Sequence, residues 1–259
     1  MGRIRVTILG CGGSGGVPVI GGDWGACNPA NPKNRRLRAS ILAQTDRATV
    51  LIDTSPDLRE QLLAAGVGAL DAVLYTHAHA DHVHGIDDLR CVNRIIRRPV
   101  LAYGSAEALA QIRERFGYAF DPLAANRFFH RPVLTGVEID GPFEINGLRV
   151  VPFDQDHGMA GRTLGFRLGG IAYSTDALDI PDSSLEIIKN IDTWIVDCVR
   201  YESHPTHANV ERALAMIDKV KPRRAILTHM TEKLDYDELA AQLPSGVEPA
   251  YDGMTIDVS

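Results

Sequence analysis

The sequence predicts an α/β protein in which helices cover the faces of β-sheets. Short apolar segments rich in β-branched residues recur along the chain, which is typical of buried strands. Strands dominate the start of the chain, and strands then alternate with segments that carry helix start and stop signals. An apolar sheet face must be covered by another layer. The pattern fits a two-sheet core with outer helices, but periodicity alone does not distinguish this from a doubly wound sheet.

The predicted elements follow one another with recognisable boundaries. Strands are predicted at residues 4–9, 37–44, 49–52, 72–75, 100–103, 148–153, 163–168, 171–174, 193–196, 225–227 and 254–257. Helices are predicted at residues 56–65, 86–96, 105–115, 183–190, 207–220 and 236–243. Three helix starts carry a hydroxyl N-cap, supplied by Ser55, Ser105 and Thr206.

The bulk properties indicate one domain over residues 1–259, because no linker or low-complexity run divides the chain. The longest apolar runs are strand-sized, well short of the ~18 residues that suggest a membrane span, so no membrane partner is expected. Cys11, Cys27, Cys91 and Cys198 form no Cys-x-x-Cys pair, which favours a reducing, cytoplasmic location. The net charge of −6 argues against a nucleic-acid partner.

The densest group of metal-binding side chains is the segment 76–85, directly after a predicted strand. Loops at strand ends are where open sheets usually place their chemistry. His77 and His79 are two residues apart, so on an extended backbone they point the same way and can bind one ion. Asp81 and His82 follow and can bind a second ion. Such residues are costly to bury without partners, which favours a metal site over a packing role.

Three further candidate ligands come just after other predicted strands: His157, Asp176 and His229. The two oxygens of Asp176 could each bind one ion, and the combination of imidazole and carboxylate suits zinc, manganese or iron. The alternatives are hydrogen-bonded core histidines and, for Asp176, a helix N-cap. His84 falls outside the paired spacing, so we expect it to support the ligands rather than to bind an ion.

The glycine-rich loop 10–22 contains Gly10-x-Gly12-x-x-Gly15, the spacing of a dinucleotide-binding loop. No helix follows it, and no acid suited to ribose lies about twenty residues further on, so we exclude a nicotinamide site. Its backbone N–H groups, with Ser14, could instead meet a phosphate. A plain tight loop is the alternative.

Three arginines in the next segment, Arg35, Arg36 and Arg38, are candidate contacts for a substrate phosphate. A solvated basic loop is the alternative explanation for them.

The seven ligands, in their chain order, resemble those of the metallo-β-lactamase superfamily. The resemblance extends from Asp53, in Leu51-Ile52-Asp53, to His229. It implies a four-layer αβ/βα sandwich with a dinuclear metal site along one edge. It also implies that Asp176 bridges two ions, one bound by His77, His79 and His157 and the other by Asp81, His82 and His229. Asp53 is then a buried acid that hydrogen-bonds the metal loop.

Further segments, at residues 9–18, 34–40, 85–90 and 251–254, resemble the PhnP-type phosphodiesterases, which act on cyclic phosphate esters of ribose in phosphonate breakdown. This implies hydrolysis of a small phosphodiester, such as a phosphoribosyl cyclic phosphate or a cyclic nucleotide, by a hydroxide on two divalent ions, zinc or manganese. Common lactamases have a Cys where this chain has Asp176, and flavodiiron proteins have a Glu where it has His79. Both residues of this chain therefore agree with the PhnP-type branch. Such relatives can carry a cysteine-rich structural zinc knot, but Cys27 alone cannot form one, so no structural zinc is expected.

The segment 203–207 holds the last candidates, His204 and His207. In PhnP-type enzymes and ribonuclease Z, a histidine from this region gives a proton to the leaving group. His207, at the predicted helix start, matches better than His204; two surface histidines are the alternative. We therefore expect Asp81 and His207 to be catalytic.

Three alternative functions remain open at this level. A tRNA 3′-processing endonuclease of the ribonuclease Z type shares the site but normally carries a flexible Gly/Pro-rich arm, which this sequence does not show, and a thioesterase such as glyoxalase II is a further hydrolase. A non-hydrolytic metal-binding module of the pyrroloquinoline-quinone B type shares the glycine-rich opening, but the full ligand set favours catalysis. Relatives are commonly dimers, so a homodimer is expected on that ground alone.

Overall fold

The computed structural model describes residues 3–122 and 129–258, which form fourteen strands and seven α-helices. The strands are β1 (Ile4–Gly10), β2 (Ser40–Gln44), β3 (Thr49–Ile52), β4 (Ala72–Leu74), β5 (Val100–Gly104), β6 (Leu134–Glu138), β7 (Phe143–Ile145), β8 (Leu148–Asp156), β9 (Arg162–Leu168), β10 (Ile171–Ser174), β11 (Thr193–Asp197), β12 (Arg224–Thr228), β13 (Val247–Pro249) and β14 (Thr255–Val258). The helices are α1 (Leu58–Ala64), α2 (Ala80–Val83), α3 (Leu89–Ile96), α4 (Ala106–Phe116), α5 (Asp182–Ile188), α6 (Val210–Val220) and α7 (Tyr236–Gln242).

Two mixed seven-stranded sheets organise these elements. The first has the order β14-β1-β2-β3-β4-β5-β6 and the second the order β13-β12-β11-β10-β9-β8-β7. Strands β3 to β6 are parallel in the first sheet, as are β10 to β13 in the second, and the other neighbours are antiparallel. None of the helices in this described part of the chain combines the length and apolarity needed to cross a membrane.

Side chains of the first sheet alternate between two apolar clusters, as the period of two in a strand requires. Ile41 and Ile52 pack towards the second sheet, in a cluster that also takes in α5, α6 and α7. Leu42 and Leu51 face the opposite way and pack with α1, α3 and α4. The helix–sheet–sheet–helix order is the four-layer αβ/βα sandwich that the resemblance implied, and the fold prediction is confirmed.

Two predicted caps are wrong in the structure. Helix α6 begins at Val210, and its N-cap is Asn209, whose side chain accepts a hydrogen bond from the Arg212 N–H; Thr206 lies in the loop before it. Helix α1 begins at Leu58, and the Ser55 hydroxyl accepts from the Asp57 N–H in the preceding turn. Asparagine caps as well as serine or threonine does, so neighbouring candidates compete. The Ser105 cap of α4 is confirmed, with the Ala108 N–H as its donor.

Gly85, which ends the metal-binding segment, packs directly against the backbone. Its N–H donates to the Thr54 carbonyl at 2.9 Å, and a Cβ there would overlap the Ser55 carbonyl oxygen. We expect Gly85→Ala to lower the free energy of unfolding by about 1–3 kcal/mol, the usual cost of forcing extra atoms into a packed site. Gly117→Ala is the matched control, because Gly117 has a helical φ of −49° and open space around its missing Cβ. Equal urea midpoints for the two variants would contradict this close packing.

Candidate metal centre

The seven predicted ligands converge at one edge of the sandwich, in the loops that follow β4, β8, β10 and β12. They form two groups that share Asp176. The first group contains His77, His79, His157 and Asp176, and the second contains Asp81, His82, Asp176 and His229. Within each group the candidate ligand atoms all lie within 4.8 Å of one another.

Asp176 lies between the two groups with one carboxylate oxygen turned to each. Its Oδ1 is 3.0 Å from Nε2 of His82 and 3.3 Å from Nε2 of His229. Its Oδ2 is 3.6 Å from Nε2 of both His77 and His157. A carboxylate in this position can bind two ions at once, one through each oxygen.

Three residues of the site adopt left-handed backbone conformations that L-residues rarely use. The φ angles are 63° for Asp53, 54° for Asp176 and 61° for His229. Each such non-glycine position costs about 1–2 kcal/mol, and each comes directly after a buried strand or one residue beyond it. At these three positions the backbone strain lies where the turn must aim a side chain at the edge of the sheets.

Asp53 and Thr76 contact two of the histidine rings at Nδ1, on the side away from Asp176. The Asp53 carboxylate accepts from the Thr76 N–H and hydroxyl and lies 2.8 Å from Nδ1 of His82. Because the Thr76 hydroxyl donates to Asp53, its oxygen accepts from Nδ1 of His77, 2.9 Å away. Both rings then carry their proton on Nδ1 and leave the Nε2 lone pair facing Asp176. Asp53 thus has the position that the resemblance implied.

His157 is oriented in the same way by a backbone carbonyl. Its Nδ1 lies 2.6 Å from the carbonyl oxygen of Thr206. A carbonyl only accepts, so Nδ1 carries the proton, and Nε2 is the atom available to an ion.

Asp197, at the end of β11, supports the other side of the site. Its Oδ2 is 2.9 Å from Nδ1 of His207 and accepts from the Ala177 N–H, and its Oδ1 is 3.6 Å from Nδ1 of His229. The rings of His207 and His229 stack at 4.8 Å. Nε2 of His207 points into the site, 3.8 Å from Oδ2 of Asp176. Asp197 was not among the residues predicted from the sequence, although it follows the predicted strand 193–196 just as His157, Asp176 and His229 follow theirs.

The charges of the cluster hold its acids ionised. Burial would raise the pKa of Asp176, but His229, His82 and His77 hold it well below the usual carboxyl range. Burial opposes a charge on His82, yet Asp176, Asp81 and Asp53 raise its pKa well above the usual value. Burial likewise opposes a charge on His229, but its neighbours, chiefly Asp176, raise its pKa to about 9. A divalent cation must therefore displace protons here, so its affinity should fall as the pH is lowered.

The residues present fit divalent metal ions. Nε2 of His77, of His82 and of His229 are buried in the described structure without a hydrogen-bond partner, which is costly for a polar atom. All three face carboxylate oxygens that carry negative charge. Imidazole nitrogens and carboxylates are the donor set of zinc and manganese sites.

Replacing Asp53 by Asn tests its support of His82. Asn keeps the shape and tolerates the left-handed φ, but it removes the charge that orients the ring. We expect metal affinity to fall about 10- to 100-fold, as for other residues that hydrogen-bond a metal ligand. A metal-chelator titration of the Asp53→Asn protein measures this, with far-ultraviolet circular dichroism to verify the fold. An unchanged metal affinity would show that Asp53 does not support the metal-binding histidines.

Two residues predicted from the sequence, His84 and His204, lie near the metal centre, but their surroundings differ from those expected. His84 is exposed at the end of α2, and its ring packs on Phe116 at 5.7 Å, so it does not hold a ligand in place. His204 lies next to His207, with ring centroids 5.0 Å apart, and its Nδ1 faces the Thr206 hydroxyl and N–H at 3.1 and 3.3 Å. Burial, and then His207, lower the pKa of His204.

The glycine-rich loop and the arginines have different surroundings. A Cβ at Gly13 would lie 3.4 Å from the His229 carbonyl oxygen, so this loop borders the site, and Ser14 is exposed there. Arg36 is buried and donates to the carbonyls of Thr231 and Leu234, so it ties segments together instead of meeting substrate. Arg35 lines a separate surface cavity with Gln61. Nε of Arg38 is 2.8 Å from Oδ2 of Asp57, with which it forms an ion pair.

Comparison with known proteins identifies the family. Residues 48–230 match the model of the beta-lactamase superfamily domain. The chain is 35% identical over 256 residues to an octanoyltransferase of Porphyromonas gingivalis, covering 97% of this chain and 51% of that protein. A ribonuclease Z of Bradyrhizobium is 33% identical over 131 residues, 48% of this chain and 44% of that one. The chain thus spans about half the length of these curated relatives.

Solved structures agree with the fold. The crystal structure of a new diphosphatase from the PhnP family superposes with a TM-score of 0.90 at 35% identity, covering 99% of this chain and 97% of that one. Zinc-bound PqqB from Methylobacterium extorquens superposes with a TM-score of 0.74 at 21% identity, over 98% and 100% of the two chains, and shows the shared fold. With its fold and these matches, the chain belongs to the metallo-β-lactamase superfamily.

Proposed function

We propose that this protein is a phosphodiesterase with two divalent metal ions, zinc or manganese, that hydrolyses a small, cyclic phosphodiester. The position of Asp176 carries the proposal, because its two oxygens face two separate groups of imidazoles. His77, His79 and His157 would hold one ion, and Asp81, His82 and His229 the other. When bound, two such ions acidify a water molecule and neutralise charge on phosphoryl oxygens.

His207 is suited to protonating the leaving group. The Asp197 carboxylate accepts a hydrogen bond from Nδ1–H of His207 and fixes the ring so that Nε2 faces the interior of the site. The ring is partly exposed, with 13% of the side chain accessible, so a substrate can reach it. An alkoxide leaving group gains most from such a proton.

The diphosphatase relative favours a second candidate reaction at phosphorus, the cleavage of a small diphosphate. The two reactions share the attack on phosphorus and differ in the leaving group, which is a sugar alkoxide in one and a phosphate in the other. Acyl transfer through the thiol of Cys11, Cys27 or Cys198 has less support, because burial raises the pKa of these three groups and makes them poor nucleophiles.

A substrate panel with metal analysis tests the proposal. The panel contains adenosine 2′,3′-cyclic phosphate, bis(p-nitrophenyl) phosphate, ADP-ribose, a precursor tRNA, a glutathione thioester and a β-lactam. We expect two ions per chain and turnover of the phosphodiesters. Faster turnover of ADP-ribose would favour the diphosphatase reaction, and turnover only of tRNA would favour the ribonuclease reaction. No turnover of any phosphorus substrate by the metal-loaded protein would contradict the proposal.

A further inference from the structure

Asp252 is a partly buried acid that none of the reactions proposed above uses. It lies between β13 and β14, where the chain crosses from the second sheet to the first. Its Oδ1 accepts from the Cys11 N–H at 3.0 Å, and its Oδ2 accepts from the Leu37 N–H at 2.7 Å. The N–H of the neighbouring Gly12 donates to the Leu37 carbonyl at 2.8 Å. One carboxylate thus ties the start of the glycine-rich loop to the segment that follows this loop.

The same loop holds the residue that follows His229. The Cys11 carbonyl accepts from the Met230 N–H at 2.8 Å, and the Met230 carbonyl accepts from the Gly13 N–H at 3.2 Å. Met230 is fully buried, so water does not replace these hydrogen bonds. A Cβ on Gly13 would lie 3.7 Å from Cε1 of His229. The loop therefore lies beside the imidazole ring as well as beside the backbone that carries it.

The orientation of His229 depends on its backbone more than that of the other buried histidines does. Nδ1 of His77, of His82 and of His157 each lies no further than 2.9 Å from an oxygen that fixes the ring. Nδ1 of His229 is 3.6 Å from Asp197 and is buried without a hydrogen-bond partner in the described part of the chain. The backbone of His229 is also strained, with a φ of 61°. The direction of this ring is therefore set by the backbone that the loop holds.

A carboxylate is the side chain that suits the position of Asp252. Burial, opposed by the hydrogen bonds from Leu37 and Cys11, raises the pKa of Asp252 to about 6, so the group is still ionised at neutral pH. Both of its oxygens then accept a hydrogen bond. An amide has a single acceptor oxygen, and its NH₂ group would face one of the two N–H donors. Asparagine at this position would therefore release one side of the loop.

We propose that Asp252 is a positioning residue for the metal centre. Through the glycine-rich loop it holds Met230, and it thereby directs His229 at its ion. The inference rests on the proposed function, because it takes His229 as a ligand of one of two ions. It predicts that a residue outside the ligand set controls the affinity of that ion and not of the other.

Metal affinities measured on single and double variants test this role. Titration of the zinc-loaded protein with a chromophoric chelator measures the affinity of each of the two ions. In Asp252→Asn we expect the ion bound by His229 to lose about tenfold in affinity, the lower end of the ~10- to 100-fold loss when the support of a metal ligand is removed. The other ion should keep its affinity. In a His229→Ala background the same substitution should have no further effect on the remaining ion.

Asp252→Glu is the conservative variant. It keeps the charge and both acceptor oxygens but moves them by one methylene group, so it should weaken the same ion by a smaller factor. If Asp252→Asn does not fold by circular dichroism, Asp252→Glu decides between the same outcomes. Unchanged affinities, or an equal loss at both ions, would overturn the assignment.

Asp71→Asn is the matched control. The Asp71 carboxylate also accepts a backbone N–H, from Thr49 at 2.9 Å, but it lies before β4, at the end of this strand opposite the metal-binding segment. This variant should keep both metal affinities.

The outcome for Asp252 is separable from that of the proposed function. Two bound ions without turnover of any phosphorus substrate would contradict the proposed reaction and leave the affinities to decide the role of Asp252. A single bound ion in the wild type would contradict the two-ion site. The role of Asp252 would then be supported if that ion is weakened in Asp252→Asn and not in Asp71→Asn, and overturned if Asp252→Asn leaves it unchanged.

Discussion

Asp176→Asn is expected to remove most of the bound metal and to reduce kcat/KM on phosphodiesters about a thousandfold or more. The substitution keeps the shape and tolerates the left-handed φ of 54°, but it takes away the charge that faces five imidazoles. An ion supplies several kcal/mol of transition-state stabilisation, and each 1.36 kcal/mol is a factor of ten in rate. Metal content by plasma mass spectrometry and initial rates at several added metal concentrations measure both effects.

The control for this variant is Asp179→Asn, three residues away. Asp179 is half exposed and forms a 3.5 Å ion pair with Arg212, which contributes little in solvent. That variant should keep its metal and its rate. If Asp176→Asn retained two ions per chain, Asp176 would not be the shared ligand, and the two-ion arrangement proposed here would be wrong.

His207→Gln is expected to keep the metal and to lose about 10²- to 10⁴-fold in kcat on substrates with an alkoxide leaving group, the usual contribution of a positioned acid. The loss should be much smaller on bis(p-nitrophenyl) phosphate, because p-nitrophenolate departs without needing a proton. Comparing the two substrates therefore separates proton donation from a general distortion of the site.

His204→Gln distinguishes the two neighbouring histidines. The His204 ring lies 5.0 Å from that of His207, but no carboxylate among residues 3–122 and 129–258 is hydrogen-bonded to it as Asp197 is to His207. We expect at most a severalfold effect. His207 also forms a third group of metal-binding side chains with Asp197 and His229, so loss of metal from His207→Gln would make it a ligand and contradict its role as the acid.

The placement of four candidate ligands could be predicted from the sequence because one rule covers them: His77, His157, Asp176 and His229 each lie within three residues of the end of a strand, whereas Asp81 and His82 lie on α2. Buried strands can be recognised in the sequence as apolar segments, and the polar residue that follows such a strand lies at the edge of the sheet. The same rule, applied to the predicted strand before Asp197, would have found that residue too. Thr76 has no such signal, because its role depends on the direction in which its hydroxyl donates to Asp53.

Other features depend on tertiary contacts that a local pattern does not contain. Strands β6, β7 and β13 were not predicted: β6 contains a glycine, β7 has three residues, and β13 ends in Pro249. All three lie at or next to sheet edges, where alternation is weak. Arg36 looked like a surface cation, yet it is buried because distant carbonyls accept its hydrogen bonds.

The division of the proposed ligands between the two sheets has a consequence for the stability and abundance of the protein in the cell. The loop after β4 belongs to the first sheet, whereas His157, Asp176 and His229 follow strands of the second. Each ion would then act as a reversible cross-link between the halves of the sandwich, contributing about 2.7 kcal/mol when free metal is a hundred times its dissociation constant. In a metal-starved cell the chain would unfold more often and be degraded, so scarcity of the ion would lower the abundance of the protein as well as its activity.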